Sequence, residues 1–213
     1  RHGIVSTDRT LSARLRPPGG ARSDVNLDTI QPVVLVGGRS KRFGRDKLIE
    51  PVRGQPLAAY PVDALRAVFG PRVALVGACD PAVAALGDAI IPDPYPGTGP
   101  AGGILAALEH SKQPVFVLSG DLPAISADHV RAVLQAGSDH PDSPVCMAMT
   151  DRPQPCIALY RPGAVGAIRG AVQSGRGLLS AVGSECTRVP IDAGAAVNVN
   201  RPGDLPDVLG AGG

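Results

Sequence analysis

Residues 35–47, LVGGRSKRFGRDK, set two adjacent glycines before five bases (Arg39, Lys41, Arg42, Arg45 and Lys47), with Asp46 as the one acid among them. A glycine has no Cβ, so the N–H groups of such a loop can approach anionic oxygens closely. Arg42 and Lys47 stand where they would neutralise the charge that the backbone cradles. Binding of several phosphate charges is the chemistry this combination suits. The loop is not a Walker loop, because nothing in it matches GxxxxGK[ST]. A Gly37-Gly38 turn followed by a merely solvated basic loop is the competing reading.

Three further segments carry groups of the right kind. Asp121 follows the apolar run VFVL and precedes Leu122-Pro123. It could hold Mg²⁺, which favours one or two carboxylates plus phosphate oxygens and water. It could equally hold an Asx turn. Asp93 precedes Pro94 and is open to the same two readings, as ligand or as turn starter. Asn198 and Asn200 alternate with Val197 and Val199, which in a strand would put both amides on one face. They could instead cap a helix opened by Arg201-Pro202. Residues 97–102, GTGPAG, spell GxGxxG, but they follow the turn-rich PDPYP rather than a strand. Pro100 also removes an N–H that a pyrophosphate would need, so a dinucleotide-binding reading is set aside.

These groups must be positioned by regular elements. The apolar pattern predicts strands over 33–36, 73–76, 89–91 and 115–118, alternating with helices over 57–69, 80–86, 101–110 and 126–136, with Ser126 as the last helix's N-cap. That rhythm predicts an α/β fold whose parallel sheet has helices on both faces. The rhythm then changes. The strand-like runs 145–149 and 156–160 are separated by only six residues, too few for a parallel crossover, so this pair should be antiparallel. Helical stretches over 162–172 and 177–182, a strand over 187–191 and a closing helix over 201–209 complete the pattern. In open α/β sheets, ligands bind beyond the carboxyl ends of the strands. The basic glycine loop, both carboxylates and both amides should therefore meet on one edge.

The chain has 213 residues, 44% of them apolar, enough for a full core. Residues 32–209 read as a single domain, residues 1–31 as a poorly ordered Arg-rich arm and 210–213 as a tail. The arm carries no apolar h-region of a secretory signal. Once the arm is set aside, acids and bases balance, which argues against broad nucleic-acid binding. No apolar run approaches the roughly 18 residues a bilayer span needs. The four cysteines show no CxxC and read as reduced thiols of a cytoplasmic protein, and no histidine spacing suggests zinc.

Taken in order, the motifs resemble the molybdenum cofactor guanylyltransferase (MobA) family of nucleotidyltransferases. The family signature LxGGxxxRxGxDK reads here as Leu35, Gly37, Gly38, Arg42, Gly44, Asp46 and Lys47. Its Asp-then-GPLAG segment reads as Asp93 followed by Gly99-Pro100-Ala101-Gly102. Its (C/G)D(L/T)P segment is Gly120-Asp121-Leu122-Pro123, and its NVN-xP segment is Asn198-Val199-Asn200-Arg201-Pro202. The resemblance implies a three-layer α/β/α Rossmann-like nucleotidyltransferase fold with a mixed, mostly parallel sheet. It implies transfer of GMP from GTP to molybdopterin with release of pyrophosphate, using Mg²⁺ held by Asp121. By that resemblance Leu35, Val36, Gly37, Gly38, Lys47, Asp93, Gly99, Gly102 and Asp121 bind the nucleotide. Arg42, Arg176, Asn198 and Asn200 face the acceptor, and Arg42, Lys47 and Asp121 carry catalysis. Proteins that supply or accept the molybdenum cofactor are the implied partners.

Two positions depart from the family pattern. The second strand is followed by Gly77, where members commonly carry Asn. The later Gly-x-Arg-Arg run reads Gly175-Arg176-Gly177-Leu178, with one cation. A nucleotidyltransferase of other specificity (CTP to molybdopterin, or GTP to a small phosphorylated acid) and a GTP-binding module without catalysis are the alternatives.

Overall fold

The computed structural model describes residues 26–37, 46–183 and 185–199. In chain order the elements are β1 (Gln31–Leu35), β2 (Pro51–Val52), β3 (Gln55–Pro56), α1 (Ala59–Phe69), β4 (Ala74–Val76), α2 (Pro81–Ala84), β5 (Ala89–Ile91), α3 (Pro100–Ser111), β6 (Val115–Ser119), α4 (Ala127–Asp139), β7 (Val145–Met149), β8 (Pro153–Tyr160), α5 (Val165–Ser174), α6 (Leu178–Val182) and β9 (Cys186–Pro190). Gly38, Arg42, Asn200 and the helix expected over 201–209 lie outside the described residues.

Seven strands form one sheet in the order β5-β4-β1-β6-β8-β7-β9. β8 is antiparallel to both neighbours, β6 and β7, while the other pairings are parallel. The antiparallel pair expected from the six-residue connection is therefore present. β8 starts earlier than residue 156, at Pro153, because a register shift at Met147/Ala148 lets Gln154 and Pro153 pair with Ala148 and Met149.

The central strands β1, β4 and β6 read as continuous apolar runs because both faces of the sheet are covered there, whereas the edge strand β5 leaves Ile90 exposed. In β6, Phe116 and Leu118 pack on one side with Val62, Leu65 and Phe69 of α1 and Val130 and Val133 of α4. Val115 and Val117 point the other way, onto Ile104, Leu105 and Leu108 of α3, Ile168 of α5 and Leu178 and Val182 of α6. Neighbouring residues thus feed opposite cores, as the two-residue period of a strand requires. Each such side chain, fully withdrawn from water, contributes about 1.5–3 kcal/mol. No described helix is long and apolar enough to cross a membrane.

Three local readings are corrected. The folded unit begins before residue 32. Leu27–Thr29 forms a 3-10 turn capped by Asn26, and Ile30 is buried. Arg72 supplies the reason, since its guanidinium donates to the carbonyls of Leu27 and Asp28. The short β2–β3 hairpin was not expected, because prolines flank it. Arg53 and Gly54 turn it, with φ of 46° and 87°, both on the positive side that a tight two-residue turn demands. Finally, residues 197–199 are not a strand. They follow a 3-10 turn, Ala193–Ala196, and Val197 is exposed while Val199 is fully buried. The two valines do not share a face, because Val199 has a cluster of its own to join, with Val52 and Leu57.

The chain travels outward from β1 to β4 and β5, then crosses back to place β6 on the other side of β1. Strand order thus reverses between β1 and β6, and a crevice opens where their two exits diverge.

Phe116 sits at the centre of this architecture, fully buried, with its ring 5.9 Å from that of Phe69. Phe116→Ala is expected to cost about 3–5 kcal/mol, read from urea unfolding, without displacing the loops at the strand exits.

Candidate active site

The site grows from the exits of β1 and β6. Leu35 lies opposite Ser119 in the parallel register, and Gly120 N–H donates to the Leu35 carbonyl at 3.0 Å. Val36 and Gly37 and, alongside them, Gly120 and Asp121 therefore leave the sheet together. Gly37 also contacts the exit of β4. Its N–H donates to the Val76 carbonyl at 3.0 Å, and Gly77 lies directly behind it. A Cβ on Gly77 would fall 2.6 Å from Gly37 Cα, and Gly77 has a φ of 101°. The missing side chain at 77 is thus a packing requirement here, since an asparagine in this conformation would displace the glycine loop.

Lys47 opens a 3-10 turn, Lys47–Ile49, that Asp46 caps by accepting from Leu48 N–H at 3.0 Å. The other oxygen of Asp46 accepts from Asp80 N–H at 3.3 Å, tying the turn to the segment after β4. Leu48 is buried against the same core as α1 and α4. With its backbone so fixed, Lys47 aims its ammonium over the strand exits. Nζ donates to Asp121 Oδ2 at 2.5 Å and to the Val199 carbonyl at 2.9 Å.

Among the described residues Asp121, like Glu50, is a buried charged residue, at 7% exposure. Oδ1 accepts from Ser119 Oγ at 2.5 Å, and its backbone carbonyl accepts from Val199 N–H at 3.2 Å. Val199 is held in turn by the β2–β3 hairpin: it packs with Val52 and Leu57, and Tyr60 OH donates to the Val52 carbonyl at 2.6 Å. Three segments distant in sequence thus converge on one cation–carboxylate pair. On β8, which pairs with β6, the Cys156 thiol is pushed up to about 12 by burial and by the Asp121 carboxylate. A thiol held neutral in this way is a poor nucleophile.

The loop after β5 supplies the next wall. Asp93 Oδ1 accepts from Tyr95 N–H at 2.8 Å, an Asx turn as one of its two sequence readings allowed. Tyr95 fixes this loop on α3: Gly102 leaves no Cβ to collide with the Tyr95 carbonyl, which would lie 2.8 Å away. Its hydroxyl donates to Glu109 Oε2 at 2.7 Å, and Arg169 of α5 donates to Oε1 at 2.8 Å. Gly99, at φ 66°, is the N-cap of α3 with no side-chain cap bond. The first turn of that helix lies against Leu35, with a Cβ on Gly103 reaching 3.1 Å from Leu35 Cδ2.

Of the residues singled out in the sequence, Lys47 and Asp121 are in direct contact, and Leu35, Val36 and Gly37 border them through the strand exits. Asp93, Gly99 and Gly102 belong to the adjoining loop and helix start. Asn198 is exposed and flanks the Val199 carbonyl that Lys47 holds. Arg176 is not part of the cluster as described: it is exposed, and its Nε donates within its own turn to Ser174 Oγ at 3.1 Å. The structure adds Ser119, Tyr95 and the main chain of Val199. The two-residue period of β6 could have revealed Ser119. A main-chain carbonyl leaves no trace in sequence.

Chemically, the arrangement offers a fixed cation and a fixed carboxylate at the mouth of the crevice. Among the described residues no group of three His, Cys, Asp or Glu side chains is placed to hold a metal ion. Any metal here would take Asp121 together with substrate oxygens and water.

Fold and site together define an α/β/α nucleotidyltransferase with a Rossmann-like mixed sheet. Residues 32–188 match the MobA-like NTP transferase domain, and the chain belongs to that family. It is 33% identical over 184 residues to the "Probable molybdenum cofactor guanylyltransferase" of Deinococcus radiodurans, covering 84% of this chain and 93% of that one. The protein of the same name from Aquifex aeolicus is 29% identical over 182 residues, covering 83% and 88%. The crystal structure of the molybdopterin-guanine dinucleotide biosynthesis protein A from Archaeoglobus fulgidus superposes with a TM-score of 0.67 at 22% identity, over 84% of this chain and 96% of that one.

Two outcomes follow from this geometry. Gly77→Ala is expected to lower stability by roughly 1–3 kcal/mol through forced overpacking and to weaken nucleotide binding, read by calorimetric titration. The second concerns Glu109. The Tyr95 hydroxyl, and next the Arg169 guanidinium, hold its carboxyl below the ordinary value of 4.5. A depressed folded-state value contributes stability that is present above that ordinary value and is lost as pH falls through the folded one. Tyr95→Phe should raise the Glu109 midpoint and shift the acid limb of the stability curve to higher pH, checked by carboxyl-carbon NMR titration and acid unfolding.

Proposed function

We propose that this protein transfers GMP from GTP to molybdopterin and releases pyrophosphate. The contact of Lys47 with Asp121 at the strand-order reversal carries the reading. It supplies the positive and negative groups a metal–triphosphate needs, on the edge where such sheets bind ligands. Membership of a family whose named relatives are molybdenum cofactor guanylyltransferases supplies the acceptor.

The residues present fit a magnesium ion. Asp121 is a single buried carboxylate with lone pairs to spare, and Mg²⁺ is commonly held by one or two carboxylates with phosphate oxygens and water. When bound, the ion would offset triphosphate charge and stabilise the departing pyrophosphate.

The remaining work falls to the chain. The terminal phosphate of the acceptor attacks the α-phosphorus of GTP. A new P–O bond forms as the bond from the α-phosphorus to the bridging oxygen breaks, and that electron pair leaves on pyrophosphate. The attacking phosphate is already a nucleophile, so positioning and electrostatics dominate. Lys47, beside Asp121, is assigned to a phosphate oxygen of the triphosphate. Gly37, whose N–H is held by the Val76 carbonyl, borders the nucleotide through its main chain, and the positive end of α3 points its first turn at the same place. Asp93 is placed on the loop bordering that turn. Asn198, next to Val199, is assigned to the acceptor, and the family motifs assign Arg42 and Asn200 to it as well. The four free cysteines suit a reducing, cytoplasmic setting.

Pyrophosphate release measured with each of GTP, CTP, ATP and UTP, with molybdopterin and Mg²⁺, tests the reading. GTP is expected to be preferred. A clear preference for CTP would reassign the base, and no release with any nucleotide would overturn the activity. Lys47→Ala and Asp121→Ala should each reduce turnover by about 10²–10³-fold, the scale of losing one preorganised charge-stabilising group.

A further inference from the structure

On the α3 side of β6, Val115 and Val117 are fully buried. Two residues on, the same row places Ser119, and two further, just past the strand, Asp121. A hydroxyl therefore ends an apolar row directly beside the buried carboxylate. Ser119 Oγ donates to Asp121 Oδ1 at 2.5 Å, while Lys47 donates to Oδ2 at 2.5 Å. Each carboxylate oxygen is held by a different residue, so the carboxylate plane is fixed before any ligand arrives. The main chain of Ser119 has little freedom, since it pairs with Leu35 and the following Gly120 N–H is bonded to the Leu35 carbonyl. Lys47 alone could not fix the plane, because one donor to one oxygen leaves rotation about the last side-chain bond.

We propose that Ser119 is a positioning residue for Asp121: its hydroxyl sets the carboxylate plane so that the remaining lone pairs face the divalent cation accompanying the triphosphate. This rests on the reading of Asp121 as a metal ligand, but not on the identity of the base or the acceptor. Groups that orient a ligand through hydrogen bonds commonly control metal affinity or activity by 10–100-fold.

The test uses the full chain with GTP and Mn²⁺ as a spectroscopic substitute for Mg²⁺. Free Mn²⁺ is followed by electron paramagnetic resonance during titration of the wild type, Ser119→Ala, Ser119→Thr and Ser119→Cys. Ser119→Ala is expected to raise the half-saturating Mn²⁺ concentration by about 10-fold or more. The KM for GTP at saturating metal should stay unchanged. Ser119→Thr, which keeps the hydroxyl, should restore wild-type affinity, and Ser119→Cys should not. Unchanged Mn²⁺ affinity in folded Ser119→Ala overturns the proposal. If that variant does not fold, Ser119→Cys decides: wild-type affinity overturns the proposal, and weakened affinity beside a normal Ser119→Thr supports it. A wild type that takes up no Mn²⁺ with GTP also overturns it. Serine-dependent Mn²⁺ binding with no pyrophosphate released in the presence of molybdopterin would defeat the guanylyl-transfer reading and leave this one standing.

Discussion

The contact between the Lys47 ammonium and the Asp121 carboxylate is the constraint on which the rest of the site depends. Asp121 is buried, and a buried charge is tolerated only when paired and hydrogen-bonded. Here Lys47 supplies the charge and Ser119 the second hydrogen bond. Removing the half-buried Lys47 ammonium would leave the buried Asp121 carboxylate without its charge partner. The pair that suits a metal–triphosphate is therefore also a fastener, joining the turn after the glycine loop to the exit of β6.

The same ammonium reaches the Val199 carbonyl, so a third segment is bound into the arrangement. That segment is seated from behind by Val52 and Leu57 of the hairpin region. A minor two-strand element thus has a clear role: it gives the carboxyl-terminal stretch an apolar seat at the height of the strand exits. Opposite it, Tyr95 pins the loop bearing Asp93 to α3 and, through Glu109, to α5. Both walls of the crevice are anchored to the core, one by apolar packing around Val199 and the other by hydrogen bonds around half-buried Tyr95.

The central parallel strands were legible in the sequence because they are buried on both faces. Runs such as residues 33–36 and 115–118 have no polar positions to confuse with loop. The antiparallel strand was legible for a different reason, the six-residue connection before it. The β2–β3 hairpin was not, because Pro51 and Pro56 disguise strands only two residues long. The alternating VNVN pattern was misleading. Local alternation favours a strand, but burial of Val199 against Val52 and Leu57 is a tertiary gain that no neighbouring residue records.

By itself, the sequence determined which chemical groups were available and roughly where the strands would deliver them. Glycines, cations and carboxylates following apolar runs must emerge at the carboxyl edge of a parallel sheet. Only the tertiary structure decided which of those groups touch. Lys47, Asp121 and Val199 are separated by 74 and 78 residues, and their contact depends on strand order, the hairpin seat and a capped turn acting together. Side-chain identity is written in the chain one residue at a time, whereas ion pairing is set by distance in space.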